Sequence, residues 1–106
     1  MLLTTQDRFD DHEIAQTLGL VRGNTIRARH LGKDILAAFR GIVGGEVTEY
    51  TKMMAEAREQ ALDRMIATSE SLGADAITGI RFTSATVMSG AAEIVVYGTA
   101  VKLKQD

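Results

Sequence analysis

Cysteine, proline and tryptophan are absent from this chain of 106 residues, and aromatic residues make up only 5% of it. Without cysteine there is no disulfide framework, no thiolate zinc ribbon, no iron–sulfur site and no thiol nucleophile. That composition suits a reducing compartment, and a cytoplasmic location is expected. Large rings that could cradle a planar cofactor are few: Phe9, Phe39, Phe82, Tyr50 and Tyr97. No apolar run approaches the roughly 18–20 residues of a membrane span. The start, Met1-Leu2-Leu3-Thr4-Thr5-Gln6-Asp7, lacks the basic and apolar regions of a secretion signal. No membrane partner is therefore expected. A formal net charge of −2 exerts no global pull toward nucleic acid.

What is present is the makings of one small globular domain over residues 1–106, with 45% hydrophobic and 25% charged residues. A domain near this size buries only about two-thirds of its unfolded-chain surface, so its core must be good or a partner must extend it. With no proline, glycine supplies the punctuation. Leu2–Thr5 reads as a short edge strand and Asp7–Glu13 as a polar turn. His12–Arg29 alternates loosely, and Gly19 and Gly23 within it predict a bulged or bent strand. Ile26 and Ala28 share one face of that strand, with Arg27 and Arg29 on the other.

Two helices are predicted. In Lys33–Val43 the residues Ile35, Leu36, Phe39, Ile42 and Val43 form an apolar stripe, and Gly44-Gly45 stops it. Thr48–Leu72 is longer and more regular. Tyr50, Met54, Ala57, Ala61, Met65 and Leu72 recur at threes and fours, with Thr68 in the gap. Met53, Leu62 and Ile66 widen the stripe, and Lys52, Glu56, Glu59, Asp63 and Glu70 mark the opposite side. Thr48 is the expected N-cap and Gly73 the expected C-terminal stop.

Ala76–Val87 and Ala92–Lys104 read as strands joined by a hairpin turn at Met88-Ser89-Gly90. In the second, Ile94 and Val96 lie on one face, while Val95, Tyr97, Val101 and Leu103 lie on the other. Helices can cover one face of a small antiparallel sheet, and the other face is ordinarily polar. Here both are apolar in the middle. Another copy of the chain is the simplest cover, with Val95, Tyr97 and Val101 as interface candidates.

Motifs that would announce chemistry fail on inspection. His12-Glu13-Ile14-Ala15-Gln16 begins like the zinc motif HExxH, but Gln16 replaces the second histidine. Asp7–Glu13 has Phe9 where a calcium ligand is needed. Asp10, Asp11, His12 and His30 remain as weak candidates for a divalent metal, and their plainer reading is a solvated turn and an ordinary strand end. Gly32-Lys33-Asp34 lacks the upstream glycine and the following hydroxyl residue of a phosphate loop. Gly41–Gly45 lacks the strand–turn–helix setting of a dinucleotide fingerprint. No GxSxG elbow exists, and two histidines leave few bases for a triad. A basic run, Arg22, Arg27, Arg29, Lys33 and Arg40, is offset only by Asp34. It could hold an anion or nucleic acid in a ring of subunits, although a solvated strand face accounts for it as well.

The segments Ile42-Val43-Gly44-Gly45, Leu72-Gly73-Ala74-Asp75-Ala76-Ile77 and Gly98-Thr99-Ala100-Val101-Lys102-Leu103, in that order around an Ala/Glu/Arg-rich helix, resemble the YbjQ family of small bacterial and archaeal proteins. The resemblance runs from Thr4-Thr5 to Leu103. It departs from the family pattern at Gly41, where a polar residue is usual, and in Arg27–Lys33, which lacks an aromatic pair. The resemblance implies an α+β fold like the dodecin subunit: an antiparallel sheet of about three strands, one long and one short helix, and assembly into ring-shaped pentamers. It also brings the family's label of heavy-metal binding. The leading expectation is thus a non-enzymatic homo-oligomeric scaffold or small-ligand-binding protein whose partner is itself, with no identified cofactor. A metal-binding protein and an anion or nucleic-acid binder working through Arg22, Arg27 and Arg29 are the alternatives.

Overall fold

A computed structural model describes residues 1–28, 45–88 and 91–105. Strand β1 spans Leu2–Leu3, β2 spans Ile14–Ala28, helix α1 spans Gly45–Ser71, β3 spans Ala76–Met88 and β4 spans Ala91–Leu103. The short helix expected at Lys33–Val43 and the turn residues Ser89-Gly90 lie outside the described residues. The fold is α+β: among the described residues, one helix lies on a sheet of order β1-β3-β4-β2. The described residues form four strands rather than about three, and the sheet is mixed. β4 pairs antiparallel with both β2 and β3, whereas β1 joins β3 in parallel. Leu2 and Leu3 predicted the extra edge strand but carried no signal of its direction, because two residues have no pattern that distinguishes the two ladders.

β4 is regular throughout, and the irregularities fall on its neighbours. β2 sets extra residues against β4 between Ile14 and Gln16 and between Thr17 and Gly19, where Gly19 takes a φ of 127°. The bulge expected at Gly19 is therefore present. Gly23 lies in regular pairing with Val96 and has a different role. A Cβ there would fall on the Ala61 carbonyl oxygen and stand 2.6 Å from the Met65 backbone nitrogen. Glycine at this position lets the helix lie directly on the strand.

α1 packs on β2 and β4. Its inward line is Ala57, Ala61, Met65 and Ser69, all fully buried. The sequence stripe ran instead through Thr68 to Leu72. Both of those are exposed, and Ser69 closes the stripe because its hydroxyl donates back to the Met65 carbonyl at 2.9 Å. A polar residue at a core position is satisfied this way without a partner on the sheet. Against this line pack Val21, Ile77, Ile80, Ile94, Val96 and Ala100. Thr25, also buried, donates its hydroxyl to the Ala57 carbonyl at 3.0 Å.

The helix ends as expected and starts earlier than expected. Gly73 has a φ of 79°, its N–H donates to Glu70, and the Ala74 N–H donates to Ser69, both at 3.0 Å. This is the paired Schellman closure. At the other end α1 begins at Gly45, so Thr48 is an internal helical residue and not the N-cap. At 27 residues the helix is about 40 Å long, which matches strands of 13 and 15 residues.

Candidate functional site: the sheet face away from the helix

Because β4 is unbroken, its alternation assigns every residue to a face. Ile94, Val96, Gly98 and Ala100 lie toward α1. Glu93, Val95, Tyr97, Thr99 and Val101 lie on the opposite face, as read from the sequence. Directly paired residues share a face, so the ladder builds the open face in rows. Leu20, Thr99 and Thr78 form one row, and Arg22, Tyr97 and Arg81 the next. Asn24, Val95 and Thr83 follow, and then Ile26, Glu93 and Ala85.

This face is partly apolar and uncovered. Leu20 is 73% exposed, Ile26 59% and Tyr97 40%. Val95 is half-buried. Val101 differs from the other interface candidates: it is already buried within the chain, at 1% exposure, so a second subunit has nothing left to cover there. Ala76 and Thr78 are buried beside it. At this end of the sheet the chain must pass from one edge to the other between Thr4 and Ile14. The crossing is pinned by Gly79 donating to Gln6 at one side and Lys104 donating to Glu13 at the other, both at 2.8 Å. The sequence could not show this crossing, because the segment that makes it is polar and reads as a turn.

The polar groups of the face are mostly engaged. Asn24 Nδ2 donates to Glu93 Oε2 at 3.3 Å. Arg81 Nη1 donates to the carbonyls of Thr5 and Ile80, each at 2.8 Å, tying the crossing segment to β3. Arg22, across Tyr97 from Arg81, has no ion-pair partner among the described residues. The basic run does not form one surface. Positions 22 and 27 are five apart in uninterrupted pairing and so fall on opposite faces of β2; Arg29, Lys33 and Arg40 lie outside the described residues.

The metal candidates are not gathered. Asp10, Asp11 and His12 sit exposed on the crossing segment. His12 Nε2 is 3.7 Å from Asp11 Oδ1, and its ring meets Phe9 edge-on with centroids 6.1 Å apart. No group of three potential ligands occurs among the described residues. His30 lies outside them.

Residues 1–104 match the family described as "Putative heavy-metal-binding", YbjQ. The chain belongs to this family. Among its relatives, the UPF0145 protein of Methanococcus vannielii is 58% identical over 105 residues, 99% of this chain and all of that protein. The UPF0145 protein of Archaeoglobus fulgidus is 52% identical over 98% of this chain and 96% of its own length. A crystal structure of a DUF74-family protein of unknown function from Pediococcus pentosaceus superposes with a TM-score of 0.67, covering 98% of each chain at 16% identity. That likeness establishes the fold alone. The heavy metal named in the family description does not fit the donors placed among the described residues. Soft ions select thiolates and thioethers, and there is no thiolate; the sequence holds two histidines, and the one described stands beside a single carboxylate on the surface.

Proposed function

We propose that this YbjQ-family chain is a non-enzymatic, self-assembling scaffold or small-ligand-binding protein, and that another copy covers its open sheet face within a homopentameric ring. The observation that carries the reading is the exposure of Leu20, Ile26 and Tyr97 on the face opposite α1. Burying an exposed Leu or Ile side chain contributes roughly 1.5–3 kcal/mol, which gives this face a driving force for association. The pentamer rests on the family resemblance, and the chain's shortage of nucleophiles and bases supports a binding role over catalysis. Native mass spectrometry of protein purified without chelators tests the proposal. It is expected to give five copies of the subunit mass. A stable monomer at micromolar concentration would refute assembly.

A second reading has one specific observation behind it. Arg22 is exposed, lacks an ion-pair partner among the described residues and stands beside Tyr97. An anion held there would replace the basic stripe read from the sequence. Salt-dependent phosphate or oligonucleotide binding, lost in Arg22→Ala, would favour it.

A further inference from the structure

Among the described residues, the outer edge of β3 is paired over only part of its length. β1 pairs with Ala76 and Ile77, and the segment after it continues the bonding as Thr4 accepts from Ile80 at 3.1 Å and Gln6 accepts from Gly79. From Arg81 to Met88 the described neighbour of β3 is β4 alone. Six consecutive residues, Arg81–Thr86, are exposed. Since alternate residues face opposite sides, β3 is bare here on both faces as well as along its edge. Phe82, paired with the fully buried Val96, remains 48% exposed because α1 lies over β2 and β4 and does not reach it.

The opposite edge of the sheet is blunted. β2 carries two bulges, and farther along Arg64 reaches from α1 to donate to the Asn24 carbonyl at 2.6 Å. Bulges and a long basic side chain are the devices that keep an edge strand from pairing with other chains. On β3 these devices stand only at the ends of the segment, a bulge between Thr86 and Met88 and Arg81 turned to the Thr5 carbonyl; between them Phe82–Thr86 is in regular pairing and has no proline, glycine or charge. It is rich in residues that favour strands.

We infer that the Arg81–Met88 edge of β3 is the strand onto which a second copy of this chain adds. The inference rests on the assembly proposed above and names a surface within it. The partner is a second copy because this edge is continuous with the open face. The rows that end at Arg81, Thr83 and Ala85 begin at Arg22, Asn24 and Ile26. A stable interface covers about 800 Å² per partner, more than one strand edge supplies; edge and face together form one patch for one neighbour. A foreign acidic or basic peptide would find a single charge to select it.

Hydrogen exchange on the wild-type protein, followed over the peptide containing Phe82–Thr86, is the direct test. β4 pairing alone protects alternate amides. Strand addition is expected to protect the outward set too, slowing it at least tenfold, and dilution to monomer should release it. Thr83→Lys/Ala85→Lys, which alters two exposed residues, is expected to shift native mass to the monomer while retaining the circular dichroism spectrum. An intact oligomer in which the outward amides exchange rapidly would overturn the inference and leave the assembly standing. An oligomer unchanged by the two lysines would overturn it equally. A wild-type monomer would overturn both.

Discussion

The backbone of Gly23 on β2 lies against the Ala61 carbonyl of α1, leaving no room for a side chain between strand and helix. Both neighbours are backbone, with the Met65 nitrogen 2.6 Å from the would-be Cβ, so no rotamer change can relieve the contact. Gly23→Ala should therefore force the helix off the sheet and cost about 3 kcal/mol or more. For a domain of this size the melting temperature should fall by more than about 10 °C. Thermal unfolding followed by circular dichroism checks it, and a loss within about 2 °C would show that the helix does not rest on Gly23.

Gly73 tests the other end of the same helix. Its φ of 79° is one that L side chains adopt at a cost of about 1–2 kcal/mol. Lys102 lies over this turn, its Nζ 3.7 Å from where a Cβ would stand, near the negative end of the helix dipole. Gly73→Ala should lower stability by about 1 kcal/mol, measured by urea unfolding, and Gly73→Asn should recover part of it. Lys102→Met should lose about 0.3–1 kcal/mol at low ionic strength and less at high salt. An identical loss at both salt concentrations would exclude the dipole as its cause.

Leu20 and Ile26 stand on the open face in the rows next to those of Arg22 and Asn24, and each is more than half exposed. Charges placed there cost the isolated chain little. Leu20→Lys/Ile26→Lys should leave the monomer's melting temperature nearly unchanged under dissociating conditions and raise its dissociation constant at least a hundredfold by analytical ultracentrifugation. Wild-type association in this variant would mean that the open face is not the interface.

Much of the architecture was legible in the chain. The line Ala57, Ala61, Met65 announced the buried side of α1, Gly73 its end, and the apolar residues on both faces of β4 the uncovered face. What escaped has physical causes. Thr48 looked like a cap because capping is a local pattern, whereas α1 begins earlier, at Gly45. Ser69 carries no apolar signal, yet it buries itself by bonding back to Met65. Charge alone groups Arg22 with Arg27, and the strand's alternation separates the two positions. Alternation alone sets Val101 with the interface candidates, and nothing in the strand pattern reveals that it is already buried within the chain. Bareness of the β3 edge depends on where β1 stops, and that is a property of the pairing and not of Arg81–Met88 itself.

The family description invites a measurement of metal binding, and the donor chemistry of this chain predicts its result. A ligand that binds the native state stabilises it by RT ln(1 + [L]/Kd), about 2.7 kcal/mol at a hundredfold excess over Kd. In a domain of this size that is a rise of roughly 10–20 °C in melting temperature. With no cysteine in the chain, and with His12 exposed beside one carboxylate, cadmium(II), zinc(II) and copper(I) at about 100 μM should each leave the melting temperature within about 2 °C. Dialysis against a chelator should change neither it nor the subunit number. Stoichiometric metal retained through desalting would contradict this, and His12→Ala and His30→Ala would then show which histidine holds it. If both variants kept the metal, its ligands would have to be carboxylates or thioethers, and a hard-ion preference by titration would distinguish the first from the second.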